Sequence, residues 1–160
     1  MQSILVYDTA NEQWYTQESS GDVPSWRMSG CSVIVAAPDN SSYCIYVYGG
    51  METLASNSDG DVYVLSLPSF QWIRVAEGDN VHIKHKCQIA GKRTMLVVGG
   101  TKPTDDSESD PSVANCDSGA FANGLGIFNL SSHTWLTDYD ATDGGEYPLS
   151  SAITDIIGGT

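Results

Sequence analysis

One eleven-residue pattern is written three times along the chain: ILVYDTANEQW over 4–14, VYVLSLPSFQW over 62–72 and LGIFNLSSHTW over 125–135. Aligned on Trp14, Trp72 and Trp135, the copies place Ile4, Val62 and Leu125 at one position and Tyr7, Leu65 and Phe128 at another. Asp8, Ser66 and Asn129 follow as turn-opening residues. A second landmark alternates with the first, because apolar runs end in glycine pairs at Gly49-Gly50, Gly99-Gly100 and Gly158-Gly159. A chain built this way is an array of one structural unit.

The period selects the architecture. Successive tryptophans are 58 and 63 residues apart, and successive diglycines 50 and 59. Helical and leucine-rich solenoid repeats of roughly 20–45 residues are too short, whereas a propeller blade of about 50 residues with loop insertions fits. Apolar residues recur with a period near two, rich in Val, Ile and Tyr, so the elements are strands. In the central unit, 43–48 is expected as the inner strand, ended by Gly49-Gly50. Glycine there permits a positive φ or a close backbone approach. The loop METLASNSDG (51–60) then leads to 61–67, the Pro68-Ser69 turn and 71–76. His85 to Ala90 is expected as the fourth strand, turning at Gly91-Lys92 into 94–98. Pro38-Asp39-Asn40 forms the equivalent turn after 31–36. The repeated tryptophans are expected to fill the space between blades, each burying about 150–250 Å².

The diglycines, the downstream D/N-x-x-x-x-x-W pattern and their spacing resemble kelch-repeat β-propellers. The stretches HKCQIAGKRTMLVVGG, NCDSGAFANGLGIFNLSSHTWLTDY and YPLSSAITDIIGGT are similar to the C-terminal blades of fungal secreted or membrane-anchored kelch proteins, which share the galactose oxidase-like fold. One position departs from the pattern, since Gly126 stands where Leu5 and Tyr63 stand in the other copies. The expected fold is all-β: a partial kelch-type propeller of about three four-stranded antiparallel blades whose ring is not closed. Residues 1–160 form one domain, with a partial first blade and the start of a second in 1–50, a central blade in 51–100, and a last blade in 101–160 carrying an acidic insertion at 101–118. Propellers close with roughly 4–8 blades, so the count predicts a piece of a larger propeller, with self-association or an open stack as the alternatives.

Charge narrows the partners. Seven Lys+Arg against 20 Asp+Glu give a net charge of −13, which repels phosphate backbones and anionic membranes and argues against nucleic-acid binding. The sequence contains no apolar run long enough to span a bilayer and no N-terminal signal peptide. The family resemblance implies a signal peptide before this segment and a membrane helix after it.

Cys31, Cys44, Cys87 and Cys116 lack the C-x-x-C spacing of zinc or redox sites. The expected pairings are Cys87–Cys116, closing the acidic loop, and Cys31–Cys44, flanking a hairpin; four buried thiols are the cytosolic alternative. Asn40-Ser41-Ser42 and Asn129-Leu130-Ser131 match the glycosylation sequon, although a turn selects Asn on its own. A copper-radical oxidase needs two His and two Tyr ligands. The three histidines do not supply such a set. His82 and His85, beside Lys84 and Lys86, are expected at a solvated strand entrance, and His133 in a turn. The acidic stretch Asp105 to Asp110 lacks the EF-hand spacing and is expected as a solvated loop rather than a calcium site.

These readings combine into a non-catalytic propeller segment without cofactor or metal. It displays loops to a protein or glycan partner, outside the cell or on its surface, and packs against remaining blades or a second copy. The competing readings are a fragment of a copper oxidase whose catalytic residues lie elsewhere, and a cytosolic adaptor.

Overall fold

The computed structural model describes residues 1–52, 59–78, 80–102, 121, 123–142 and 144–158. Strands β1 (Ser3–Asp8) and β2 (Gln13–Glu18) form an antiparallel hairpin. A second sheet contains β3 (Ser20–Gly21), β4 (Cys31–Ala36), β5 (Tyr43–Tyr48), β6 (Val62–Leu67) and β7 (Gln71–Ala76), in the order β3-β7-β6-β5-β4. A third contains β8 (Lys86–Ala90), β9 (Thr94–Val98), β10 (Leu125–Asn129) and β11 (Thr134–Leu136), in the order β11-β10-β9-β8. The meanders β4–β7 and β8–β11 are antiparallel throughout. The short β3 adds in parallel to the far edge of β7.

This topology corrects the expected strand membership. The strand near His85 opens the third sheet instead of completing the second, and β4, not β5, is the edge strand that begins the second. The reason is spatial, since β4 and β8 touch where neighbouring sheets converge. The eleven-residue pattern supplies the third and fourth strands of each unit: β1–β2, β6–β7 and β10–β11.

Alternation along the strands makes the middle sheet a two-sided wall. Cys44, Tyr46 and Tyr48 of β5, with Val62 and Val64 of β6, face Met95, Val97 and Phe128 of the third sheet in one buried core. Ile45, Val47, Tyr63, Leu65 and Trp72 face the other way, toward Met1 and Ile4 of the first hairpin. Successive side chains of a strand point to opposite faces, so one strand serves two interfaces. Each fully buried aliphatic or aromatic side chain contributes about 1.5–3 kcal/mol relative to exposure.

The expected strand ahead of Gly158 is a helix, α1 (Ser151–Ile157), with Ile153 buried and Gly158 at its C-terminus. The apolar residues of 147–157 recur as Tyr147, Leu149, Ile153 and Ile157, all packed on the core. That spacing suits a short turn-and-helix packed across a core better than a two-period strand. Gly159 lies outside the described residues, as do Cys116 and the acidic stretch from Asp105 to Asp110.

Candidate functional site

Strand direction gives the blades two unlike ends. Tight turns at 37–42, 68–70, 91–93 and 130–133 share one end of the second and third sheets. The connections that follow the diglycines after β5 and β9, and the one between β7 and β8, leave from the other. The rim of this second end is held by charge. Arg27, with a side chain only 4% exposed, pairs with Asp59 at 3.1 Å, donates to the Gly49 carbonyl at 3.3 Å and lies 5.0 Å over the Tyr63 ring. Asp61 accepts hydrogen bonds from the Gly78 amide and the Arg74 guanidinium, and Arg74 also pairs with Glu77. Burial first, and then the Asp59 and Asp61 carboxylates, pushes the Tyr63 phenol up, so it stays a neutral donor.

Beneath that rim lie His82 and His85, both fully buried. The expected solvated strand entrance is therefore incorrect. The backbone explains the inversion. The Gly50 amide donates to the His82 carbonyl, Ile83 exchanges two backbone bonds with Thr101, and the Lys84 amide donates to the Ser29 carbonyl. Stapled between two sheets, with Lys84 at φ 60°, the segment turns its imidazoles inward. The His82 ring stacks on Phe121 with centroids 3.9 Å apart. His85 lies 5.2 Å from the Tyr48 ring, and its ring atoms occupy the space above the Gly49 Cα. Burial holds the His85 imidazole down to about 4, against an opposing effect of the Tyr48 backbone. It is thus neutral at physiological pH, with a lone pair available.

Both expected disulfide pairings are corrected here. Cys31 of β4 is bonded to Cys87 of β8, with Cα atoms 5.5 Å apart. Cys44 is a buried thiol opposite Val35, four residues along the ladder from Cys31, so no Cys31–Cys44 bridge can form. The His85 ligand nitrogen and the two sulfurs of Cys31 and Cys87 lie within 4.8 Å of one another. The alternation in His85-Lys86-Cys87, which puts the outer two on one face of a strand, was the sequence signal for this cluster.

A second buried polar group ties 147–157 to the blades. The Tyr46 hydroxyl is 2.7 Å from the Tyr147 hydroxyl, donates to the Leu130 carbonyl at 2.8 Å and lies 3.2 Å from His133 Nε2. Desolvation pushes Tyr46 and Tyr147 up and His133 down. A cleft of about 700 Å³ opens at the turn end, lined by Pro38, Ser42, Ser66, Pro68, Pro148 and Leu149 among others.

The repeat residues divide. Trp72 is buried against the first hairpin and donates from Nε1 to the Ser19 hydroxyl at 3.1 Å. Trp135 packs on Tyr48, Phe121 and Phe128 between sheets. Trp14, in the first hairpin, is 66% exposed, and its ring lies tilted on Tyr7 with centroids 4.9 Å apart. The departure at Gly126 has a direct cause, because a β-carbon there would lie 2.7 Å from the Phe121 ring. Of the sequons, Asn40 is exposed in its turn, while Asn129 accepts the Ser131 and Ser132 amides at its side-chain carbonyl.

No family model matches the chain. A kelch repeat-containing protein of Arthroderma benhamiae is 34% identical over 91% of this chain, which spans 21% of that relative. Among solved structures, a fungal alcohol oxidase of the AA5 family, in complex with copper, superposes with a TM-score of 0.56 at 15% identity. It covers 84% of this chain, which covers 27% of it.

Proposed function

The chain is a kelch-repeat segment folded as part of a β-propeller, and from that premise we propose that it serves as a binding scaffold whose diglycine end engages a protein or glycan. The observation that carries this reading is the asymmetry of the two ends. Tight turns close one end of the second and third sheets, while the connections that follow β5, β7 and β9 leave from the other. Such connections cost little in loop entropy, vary freely and present side chains on a fixed frame. The Arg27–Asp59 and Arg74–Asp61 pairs support the frame at their base. A net charge of −13 favours neutral or basic partners. The Cys31–Cys87 bridge supports an oxidising, extracellular or cell-surface setting.

The test compares the chain with two loop variants on a glycan array and against cell-wall polysaccharide. One variant replaces 52–58 and 102–120 with short Gly-Ser connections, and the other alters Pro38, Pro68 and Ser69 at the opposite end. Binding should be lost only in the first. Loss only in the second would move the site to the turn-end cleft and overturn the reading.

A second reading is favoured by the superposition on an alcohol oxidase. There the segment contributes structural blades to an oxidase whose catalytic residues lie in other parts of a longer protein. Copper-dependent peroxide release by the longer protein, with alcohol as substrate, would support it.

A further inference from the structure

We propose that once the Cys31–Cys87 bridge is reduced, the two thiolates and the His85 imidazole form a binding site for one soft or borderline cation, Zn²⁺ or Cu⁺, between the opening strands of neighbouring blades. This inference is independent of the loop-end binding reading. Three donor atoms already lie within 4.8 Å of one another, and a tetrahedral zinc with bonds of about 2.0–2.3 Å holds its ligands roughly 3.5 Å apart. Only small side-chain rotations separate the present cluster from a coordinating one.

The donor set is supplied by rigid parts of the fold. Cys31 begins β4, Cys87 lies in β8, and the two strands touch along their edges. His85 is held by the bonded backbone of its neighbours and cannot retreat, because Gly49 and Gly100 close on it from both sides. The ring is 1% exposed, and the Tyr48 backbone engages one of its nitrogens, which leaves the other without a hydrogen-bond partner among the described residues. Such a buried acceptor is costly to leave unused, and a metal would use it. Cys31 and Cys87 are only partly buried, which leaves an entry path and an open fourth position for water or an external ligand.

The two states exclude each other. A small thiol reductant attacks the bridge, its own two thiols give up two electrons and become a disulfide, and Cys31 and Cys87 each gain a proton. Binding of M²⁺ then releases those two protons as the thiolates coordinate. A disulfide oxidant reverses the exchange: the two thiolates give up two electrons and rejoin as Cys31–Cys87, the oxidant takes up those electrons with two protons to become two thiols, and the metal leaves. Soft thiolates with one imidazole select Zn²⁺ or Cu⁺ over Mg²⁺ or Ca²⁺.

The full 160-residue chain would be titrated with Cd²⁺ and Zn²⁺, oxidised and after reduction and anaerobic desalting. Thiolate-to-metal absorption and the melting temperature are the readouts. One equivalent should bind only to the reduced chain and raise its melting temperature. Cys44→Ala with Cys116→Ala should leave binding intact, Cys31→Ser with Cys87→Ser should abolish it, and His85→Gln should weaken it by about tenfold or more. Since His85→Gln risks misfolding, near-UV dichroism of its oxidised form identifies a folded variant, and the cysteine pair provides an independent arm. Equal uptake by the Cys31→Ser/Cys87→Ser chain, or none by a reduced chain that stays folded, overturns the proposal. So does a reduced chain that unfolds at the same temperature with and without Zn²⁺, since a ligand of the native state must stabilise it.

Discussion

The His85 imidazole occupies the space a side chain at Gly49 would need: a β-carbon there would lie 2.6 Å from Cε1 and 2.5 Å from the His82 carbonyl. Gly99, at the equivalent place in the next repeat, has nearly the same φ, 66° against 64°, yet among the described residues no atom lies within 4 Å of its missing β-carbon. The two glycines thus separate backbone strain from steric exclusion. Gly99→Ala should cost only about 1 kcal/mol, the expense of a left-handed backbone. Gly49→Ala should cost at least about 2 kcal/mol more, because the blade junction must open. Urea denaturation of both variants checks this, and equal losses would contradict the packing described for His85.

Phe121 and Gly126 should behave as one unit. Gly126→Leu restores the residue found at Leu5 but drives into the Phe121 ring, and Phe121→Ala opens a cavity costing roughly 3 kcal/mol. Combined, the new leucine fills the volume the phenylalanine vacates. The double variant should be more stable than the sum of the two losses predicts, by at least about 1 kcal/mol. Strict additivity would show that the two positions do not share this space.

The architecture was legible because its signals are local. The alternation in VYVLSLPSFQW, its Pro68-Ser69 turn and the glycines after β5 and β9 each specify conformation within a few residues. Sheet membership was not legible, because nothing between β7 and β8 marks which neighbour an edge strand will join. The inward orientation of His82 and His85 is hidden in the sequence for a related reason. Lys84 and Lys86 suggest solvent, whereas backbone bonds to Gly50, Thr101 and Ser29, far away in sequence, turn the imidazoles inward. The Cys31–Cys87 contact likewise exists only once two sheets converge. In the last segment, two apolar residues before a diglycine were too short a signal to separate strand from helix.

The bridge should matter to stability in proportion to the chain it closes. It links residues 56 apart, and the chain-entropy estimate for that loop is about 4 kcal/mol. Cys31→Ser in the oxidised chain should lower the unfolding free energy by up to that amount. Peptide mapping without reduction should join the peptides containing Cys31 and Cys87, with the Cys44 thiol alkylated only after unfolding. A Cys87–Cys116 peptide in its place would refute the inter-blade link.

In a secretory host, Asn40 should be glycosylated and Asn129 should not. Asn40 is exposed at a turn, whereas the Asn129 side chain holds the amides of Ser131 and Ser132. Enzymatic deglycosylation followed by mass spectrometry should therefore convert Asn40 alone to aspartate. Occupancy at Asn129 would require the turn after β10 to open before folding completes.

His133 should make the docking of 147–157 sensitive to acid. Its imidazole is pushed down chiefly by desolvation, with the Leu130 backbone opposing, and it sits against the hydroxyls of Tyr46 and Ser150. A histidine whose folded pKa lies below its unfolded value of about 6.5 is favoured by the fold only when neutral. Its contribution is complete above that pH and is lost as pH falls from 6.5 toward the folded value, since the unfolded chain binds the proton more readily. Protection factors of the α1 amides, referred to the intrinsic exchange rate at each pH, should therefore fall below about pH 6.5 before those of the strands β5 and β6 do. His133→Gln keeps a polar partner for Tyr46 without a titrating ring, and should flatten that pH dependence while preserving the docked helix at neutral pH. If α1 and β5 lost protection together in both proteins, the acid response would belong to the whole fold and not to this contact.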